Sequence, residues 1–186
     1  MNFSKKKILK KYIYEITKDN LGVVCKESAS FPYGRPTNPL RSHDIYNFFQ
    51  LFNEMEHVNL FYVVLTRNII FSTLSSANRF DKNSSIIFSS RLQENCLIYI
   101  NSQIQLIPKE KYIIVELTNI QKNIKKFIKI IEEKSKIKIS CNYNNISICD
   151  DSKYLTDKNY EYLVNYFDKN RLKQFDFLKE NTYLIQ

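Results

Sequence analysis

The sequence predicts an α/β domain preceded by an N-terminal basic extension. Three observations carry that expectation. Tyr112–Leu117 is rich in aromatic and β-branched residues, and an amphipathic helix pattern starts directly after it. The apolar fraction of 44% is enough to enclose a core, so wholesale disorder is not expected. The chain has no run of the roughly 18 apolar residues that a spanning helix needs, so no membrane span is expected. Residues 1–56 are expected to hold the extension, a Pro-rich loop and a helix, and residues 57–186 the α/β domain.

Taken in order, residues 1–20 read as a basic arm entering a helix or strand. Lys5, Lys6, Lys7, Lys10 and Lys11 all precede the first acid, Glu15, and such a run of like charge is a common interaction tail. No apolar h-region of a secretory signal is present there. Residues 28–42 hold three of the four prolines, Pro32, Pro36 and Pro39, together with Arg35 and Arg41. That segment cannot be a helix. It reads either as a loop lying along a phosphate backbone or as a linker. His43–Glu56 shows near-helical apolar spacing at Ile45, Phe48, Phe49, Leu51 and Phe52.

The period then changes. Asn59–Leu65 and Ile69–Leu74, with Arg67-Asn68 between them, predict a β-hairpin, and Ser84–Ser89 a third short strand. Residues 91–107 are ambiguous: Leu92, Cys96, Tyr99, Ile100, Gln103 and Ile104 could share one helical face, yet CLIYI alone has strand character. Tyr112–Leu117 is the clearest strand and the segment after it the clearest helix. Thr118 and Gln121 match a capping box. Ile120, Ile124, Phe127, Ile128 and Ile131 form an apolar stripe, and Lys122, Lys125, Lys126 and Lys129 line the other side. Ile137–Cys141 reads as a strand and Ile146–Cys149 as a further one. Asp157–Phe167 reads as a helix with Tyr160, Leu163, Val164 and Phe167 inward, and Phe175–Ile185 is too mixed to assign.

Lys, Asn, Ile, Phe and Tyr fill 92 of the 186 positions, while Gly and Ala occur twice each. These five residues share AT-rich codons, so an AT-biased genome is the simplest cause. The skew has a chemical consequence. Gly22 and Gly34 lie twelve positions apart, so neither a phosphate-cradling P-loop nor a dinucleotide fingerprint can be built. No GxSxG elbow and no HExxH helix occur. Cys25, Cys96, Cys141 and Cys149 form no CxxC pair, and neither His43 nor His57 stands at ligand spacing from them, so no disulfide framework and no metal site are expected. Asp150 and Asp151 follow an expected strand end, where a metal-dependent nuclease could place its acids, with Asp44, Glu116 and Asp176 as further candidates. An Asp pair at such a turn is more often a helix-capping device.

The net charge is +9, and it is uneven. Residues 1–50 carry nine basic and four acidic side chains and residues 111–150 eight and four, whereas 51–110 and 151–186 are balanced. Clustered positive charge is the electrostatic footprint of a polyanion-binding surface. The arm Lys5–Lys11, the loop residues Arg35 and Arg41, Arg67, and the helix face Lys122–Lys129 are therefore the candidate RNA contacts.

Residues 57–148 resemble small-subunit ribosomal protein eleven, the platform protein family. The segment NLFYVVLTRNIIFSTLSS is similar to that family's opening hairpin, with Arg67-Asn68 at the turn and Ser72, Thr73 and Ser75 in the alternating strand. YIIVELTNIQKNIKKFIKIIEEKSKIKI is similar to its later strand–helix–strand. The family's glycine- and arginine-rich turn and its basic tail are replaced here by FSSRLQ and NYNNISICDDSK. Small-subunit ribosomal protein ten is a second resemblance, laid on residues 111–180. The resemblance implies a ribonuclease-H-like mixed sheet with flanking helices. It also implies a non-catalytic role in a mitochondrial small ribosomal subunit, with ribosomal RNA and neighbouring ribosomal proteins as partners and no cofactor or small-molecule substrate. The rival expectations are a small metal-dependent nuclease of a virus or parasite, acting in the cytoplasm, and a protein-interaction module without nucleic acid.

Overall fold

The computed structural model describes residues 58–80, 85–140 and 150–185 and, before them, residues 11, 14, 15, 49–51 and 53–55. Its fold is of mixed helix and strand. A two-stranded parallel sheet pairs β1 (Tyr62–Thr66) with β2 (Tyr112–Glu116), in a register that sets Tyr62 against Tyr112 and Thr66 against Glu116. Parallel strands need a long crossover. Residues 67–111 supply it with α1 (Ile69–Phe80), α2 (Ile86–Ile104) and a 3-10 turn at Lys109–Lys111. Two helices follow β2, α3 (Leu117–Lys122) and α4 (Ile124–Ser135). After a 3-10 turn at Ser152–Tyr154 come α5 (Tyr160–Tyr166) and α6 (Lys169–Leu172). A further 3-10 turn at Lys173–Phe175 leads into α7 (Asp176–Glu180).

β2 is the centre of the molecule. Tyr112, Ile113, Ile114 and Val115 are all buried. Successive strand side chains point to opposite faces, so these four residues feed two cores. Tyr112 and Ile114 join Ile69, Leu74, Ile104, Ile107, Tyr154, Leu163, Phe167, Phe175 and Leu178 on one face, with Tyr62, Val64 and Phe49 packed against them. Ile113 and Val115 join Ile120, Ile131 and Ile185 on the other. A parallel strand covered on both faces reads as a continuous apolar run, which is why this strand is plain in the sequence. Beyond β2, the Tyr183 N–H donates to the Ile114 carbonyl at 2.7 Å and Thr182 bridges the same residue, so the C-terminal segment lies along the edge that β1 leaves open.

Several expected strands are helices. The predicted hairpin does not form: its first arm is β1, but Ile69–Leu74 begins α1. The Asn68 side chain accepts from the Ile70 N–H at 2.9 Å, the bond of a helix N-cap. Ile69, Thr73 and Leu74 are buried at helical spacing, and the Thr73 hydroxyl donates to the Ile69 carbonyl at 2.7 Å. Helical packing overrides the strand preference of these β-branched residues. The third strand expected at Ser84–Ser89 is the start of α2, capped by Ser85, whose hydroxyl accepts from the Phe88 N–H at 3.3 Å. The ambiguous stretch from 91 is thereby settled as helix up to Ile104. The family-like opening of three strands is absent from the described residues.

The helix after β2 also differs from expectation. It starts at Leu117 with Glu116 at the cap position and no side-chain cap bond, so the Thr118–Gln121 capping box is not used. It breaks at Asn123 (φ −131°, ψ 38°), whose side-chain amide donates to the Asn119 side-chain oxygen at 3.1 Å. Asn bonds readily to nearby backbone and side-chain groups, which makes it a poor interior helix residue. α4 ends at Lys136, which adopts the left-handed region (φ 61°) that Gly normally fills. No strand follows at residues 137–140: the Ile139 N–H donates to the Glu132 carboxylate at 2.7 Å and not to a sheet. Within the helix expected at Asp157–Phe167, only Tyr160–Tyr166 is α-helical, and Val164 is exposed, not inward. The strand expected at Ile146–Cys149 lies outside the described residues.

Candidate nucleic-acid interface

α3 and α4 place one set of side chains in the core and another in solvent. Ile120 and Ile131 are buried, and Ile124, Phe127 and Ile130 pack with them on Ile113, Val115 and Ile185. Lys122, Lys125, Lys126 and Lys129 are all exposed on the far side. Three residues apart along a helix is about 4.5 Å of rise and four apart about 6 Å, so Lys125, Lys126 and Lys129 stand within one turn. The positive band continues beyond the helix face, since Lys134, Lys136 and Lys138 are exposed as well. Against these seven lysines stand two glutamates, and Glu132 is held by the Ile139 N–H. Among the described residues no ion pair holds Lys122, Lys125 or Lys129. The result is a fixed, rigidly backed positive surface, whose field attracts anions.

Of the other predicted contacts, the structure describes Lys11 and Arg67. Lys11 is exposed on a helical residue. Lys5, Lys6, Lys7, Lys10, Arg35 and Arg41 lie outside the described residues. Arg67 is engaged inside the protein: its Nε donates to Asp151 at 3.2 Å, a second nitrogen donates to the other Asp151 oxygen, and the guanidinium lies 5.7 Å from the Tyr154 ring centre. Its side chain is 14% exposed, so it ties the end of β1 to the 3-10 turn and offers little to an outside partner.

The candidate acids have local work of the same kind. Asp151 is the partner of Arg67. Asp150 accepts from the Ser152 hydroxyl at 2.6 Å and from the Ser152 N–H at 2.9 Å. Those two bonds, the hydroxyl first, hold its carboxyl below the ordinary value. Among the described residues no three His, Cys, Asp or Glu side chains gather where a metal ion could be held. Cys96 is buried in α2, and burial pushes its thiol up to about 11, away from nucleophilic use at neutral pH. A cavity lined by Phe49, Asn53, Val58, Leu60 and Lys111 has a volume of about 20 Å³, room for about one water. No helix among the described residues is long and apolar enough to cross a membrane.

Sequence reasoning missed one cluster entirely. Glu94 on α2 is buried, accepts from the Tyr166 hydroxyl at 2.9 Å and takes Arg171 on both carboxylate oxygens at 2.9 Å. Arg171 also lies 4.2 Å from the Tyr166 ring centre. This network fastens α5 and α6 to α2. Its members lie 72 and 77 positions from Glu94, so no local pattern announces it.

Compared with family models, curated proteins and solved structures, the chain matches none.

Proposed function

We propose that this protein is a non-catalytic RNA-binding component of a mitochondrial small ribosomal subunit, contacting ribosomal RNA through its basic patches. The observation that carries this reading is the solvent face of α3 and α4, four exposed lysines on helices whose apolar residues pack against the second core. An amphipathic helix of this kind could lie in an anionic membrane surface only with its apolar side free. Here Ile120, Ile124, Phe127 and Ile131 are already engaged, which favours a polyanion approached through charge alone.

Two further features support an assembly. Val63 (39% exposed) and Leu65 (55%) stand on the face of β1 that α3 and α4 leave uncovered, and Leu184 is 67% exposed. Apolar groups at such positions suit neighbouring proteins in a particle. The ribonuclease-H-like arrangement implied by the ribosomal resemblance rests on one shared piece, two parallel strands joined by a helical crossover. The nuclease alternative would need Asp150 and Asp151 turned toward a metal, and both side chains serve other partners. The protein-interaction module draws on the same exposed Val63 and Leu65.

The test is sedimentation of the native complex at physiological salt. Co-sedimentation with small-subunit ribosomal RNA in a large particle is expected. A stable protein-only complex, indifferent to salt, would overturn the ribosomal reading in favour of the interaction module. A free monomer that cleaves RNA on addition of Mg²⁺ would overturn it in favour of the nuclease.

A further inference from the structure

We infer that the lysine face of α3 and α4 engages the phosphate backbone of double-stranded RNA, not unpaired bases; this deepens, and rests on, the RNA-binding reading above. Unpaired bases are held by stacking on aromatic rings or guanidinium planes and by hydrogen bonds to their edges. The exposed positions of the two helices offer no ring and no guanidinium plane for stacking. The exposed positions from Lys122 to Lys136 are Lys122, Lys125, Lys126, Lys129, Glu133, Lys134 and Lys136, without an aromatic or an Arg. The single aromatic of the two helices, Phe127, packs into the second core. Tyr183, which lies outside the two helices, has the Lys134 ammonium 5.7 Å from its ring centre.

Lysine ammonium groups act as compact point charges suited to neutralising phosphates, and such contacts carry no sequence information. Their backing is equally suited to a duplex. α4 is held against the second core by Ile124, Phe127 and Ile131, which fixes the position of its lysines. A helix of about 10–12 Å diameter can lie against the wide, shallow minor groove of A-form RNA, with its lysines reaching the flanking phosphates.

The experiment uses the full chain, a mixed-sequence RNA duplex and an unstructured oligouridine of matched charge, with binding followed by fluorescence anisotropy over a salt series. The variant carries Lys122→Gln, Lys125→Gln, Lys126→Gln and Lys129→Gln. All four residues are exposed, so its circular dichroism should match the parent and its melting temperature should be no lower. On the duplex, the slope of log affinity against log salt should fall by about 3–4, at about 0.9 for each phosphate that a lysine no longer neutralises. Affinity should drop at least tenfold, while oligouridine binding should change little. The corresponding four Lys→Arg substitutions should keep duplex binding. An equal or greater weakening on oligouridine, or an unchanged duplex slope, would overturn the inference and leave the RNA-binding reading standing. Failure of the parent chain to bind either RNA would overturn both.

Discussion

Cys96 shows how the interior of this protein sets the chemistry of one side chain. With 5% of its surface exposed on α2, its thiol is pushed from 9.0 up to about 11 by burial. The folded state therefore keeps the proton that the unfolded chain gives up first. Its contribution to stability is complete below pH 9 and is lost as pH rises toward 11. The shift corresponds to about 3 kcal/mol. In urea melts, wild type should lose more stability between about pH 8.5 and 11 than Cys96→Ala does; parallel losses would refute the thiol as the source. Burial acts in the same direction on Tyr166, reinforced by the Glu94 carboxylate that accepts its hydroxyl hydrogen, and on Tyr112. Neither Glu94 nor Asp151 could be recognised from the sequence as a structural acid. Their partners, Arg171 and Arg67, are 77 and 84 positions away.

At the scale of elements, α4 starts with two lysines that its dipole disfavours. Lys125 and Lys126 sit in its first turn, which holds no acid. The positive end of the helix dipole disfavours cations there and favours carboxylates by about 0.3–1 kcal/mol each. The double variant Lys125→Glu/Lys126→Glu should therefore raise the melting temperature while weakening the proposed binding of duplex RNA. A lower melting temperature would show that the lysines stabilise the fold. β2 and α4 were legible in the sequence because their signals are local: a run of apolar strand formers, then an apolar stripe opposite a charged one. α1 was not, because Ile69, Ile70, Phe71 and Thr73 favour strands as isolated residues. The cap at Asn68 and the buried spacing of Ile69, Thr73 and Leu74 outweigh that preference. Ser85 and Asn68 are the kind of N-cap that marks a helix start, and they stood at both misread boundaries. The candidate interface was legible for the same local reason as α4, whereas the engagement of Arg67 by Asp151 depends on the tertiary fold.

For the whole molecule, the separation of the two cores on either face of β2 makes the C-terminal segment a structural partner of the lysine face. β2 supplies Tyr112 and Ile114 to one core and Ile113 and Val115 to the other. The second core is small, with five buried residues, and one of them is Ile185. Tyr183 fixes the approach of that segment through its bond to Ile114. Truncating Ile185 removes a methyl-rich side chain from beside Ile131, Ile120 and Val115, and such Ile→Ala changes cost about 2–5 kcal/mol. Its neighbour Leu184 is 67% exposed and makes a matched control, expected to change stability by less than about 0.5 kcal/mol on replacement by Ala. The effect should also be directional. α4 rests on the second core alone, whereas α1, α2 and α5 pack on the first, so Ile185→Ala should raise amide exchange in Phe127–Ser135 more than in α1 or α2. A uniform rise across all helices would mean that the two cores unfold as one unit. An unchanged urea midpoint would mean that the C-terminal segment does not hold α4 in place.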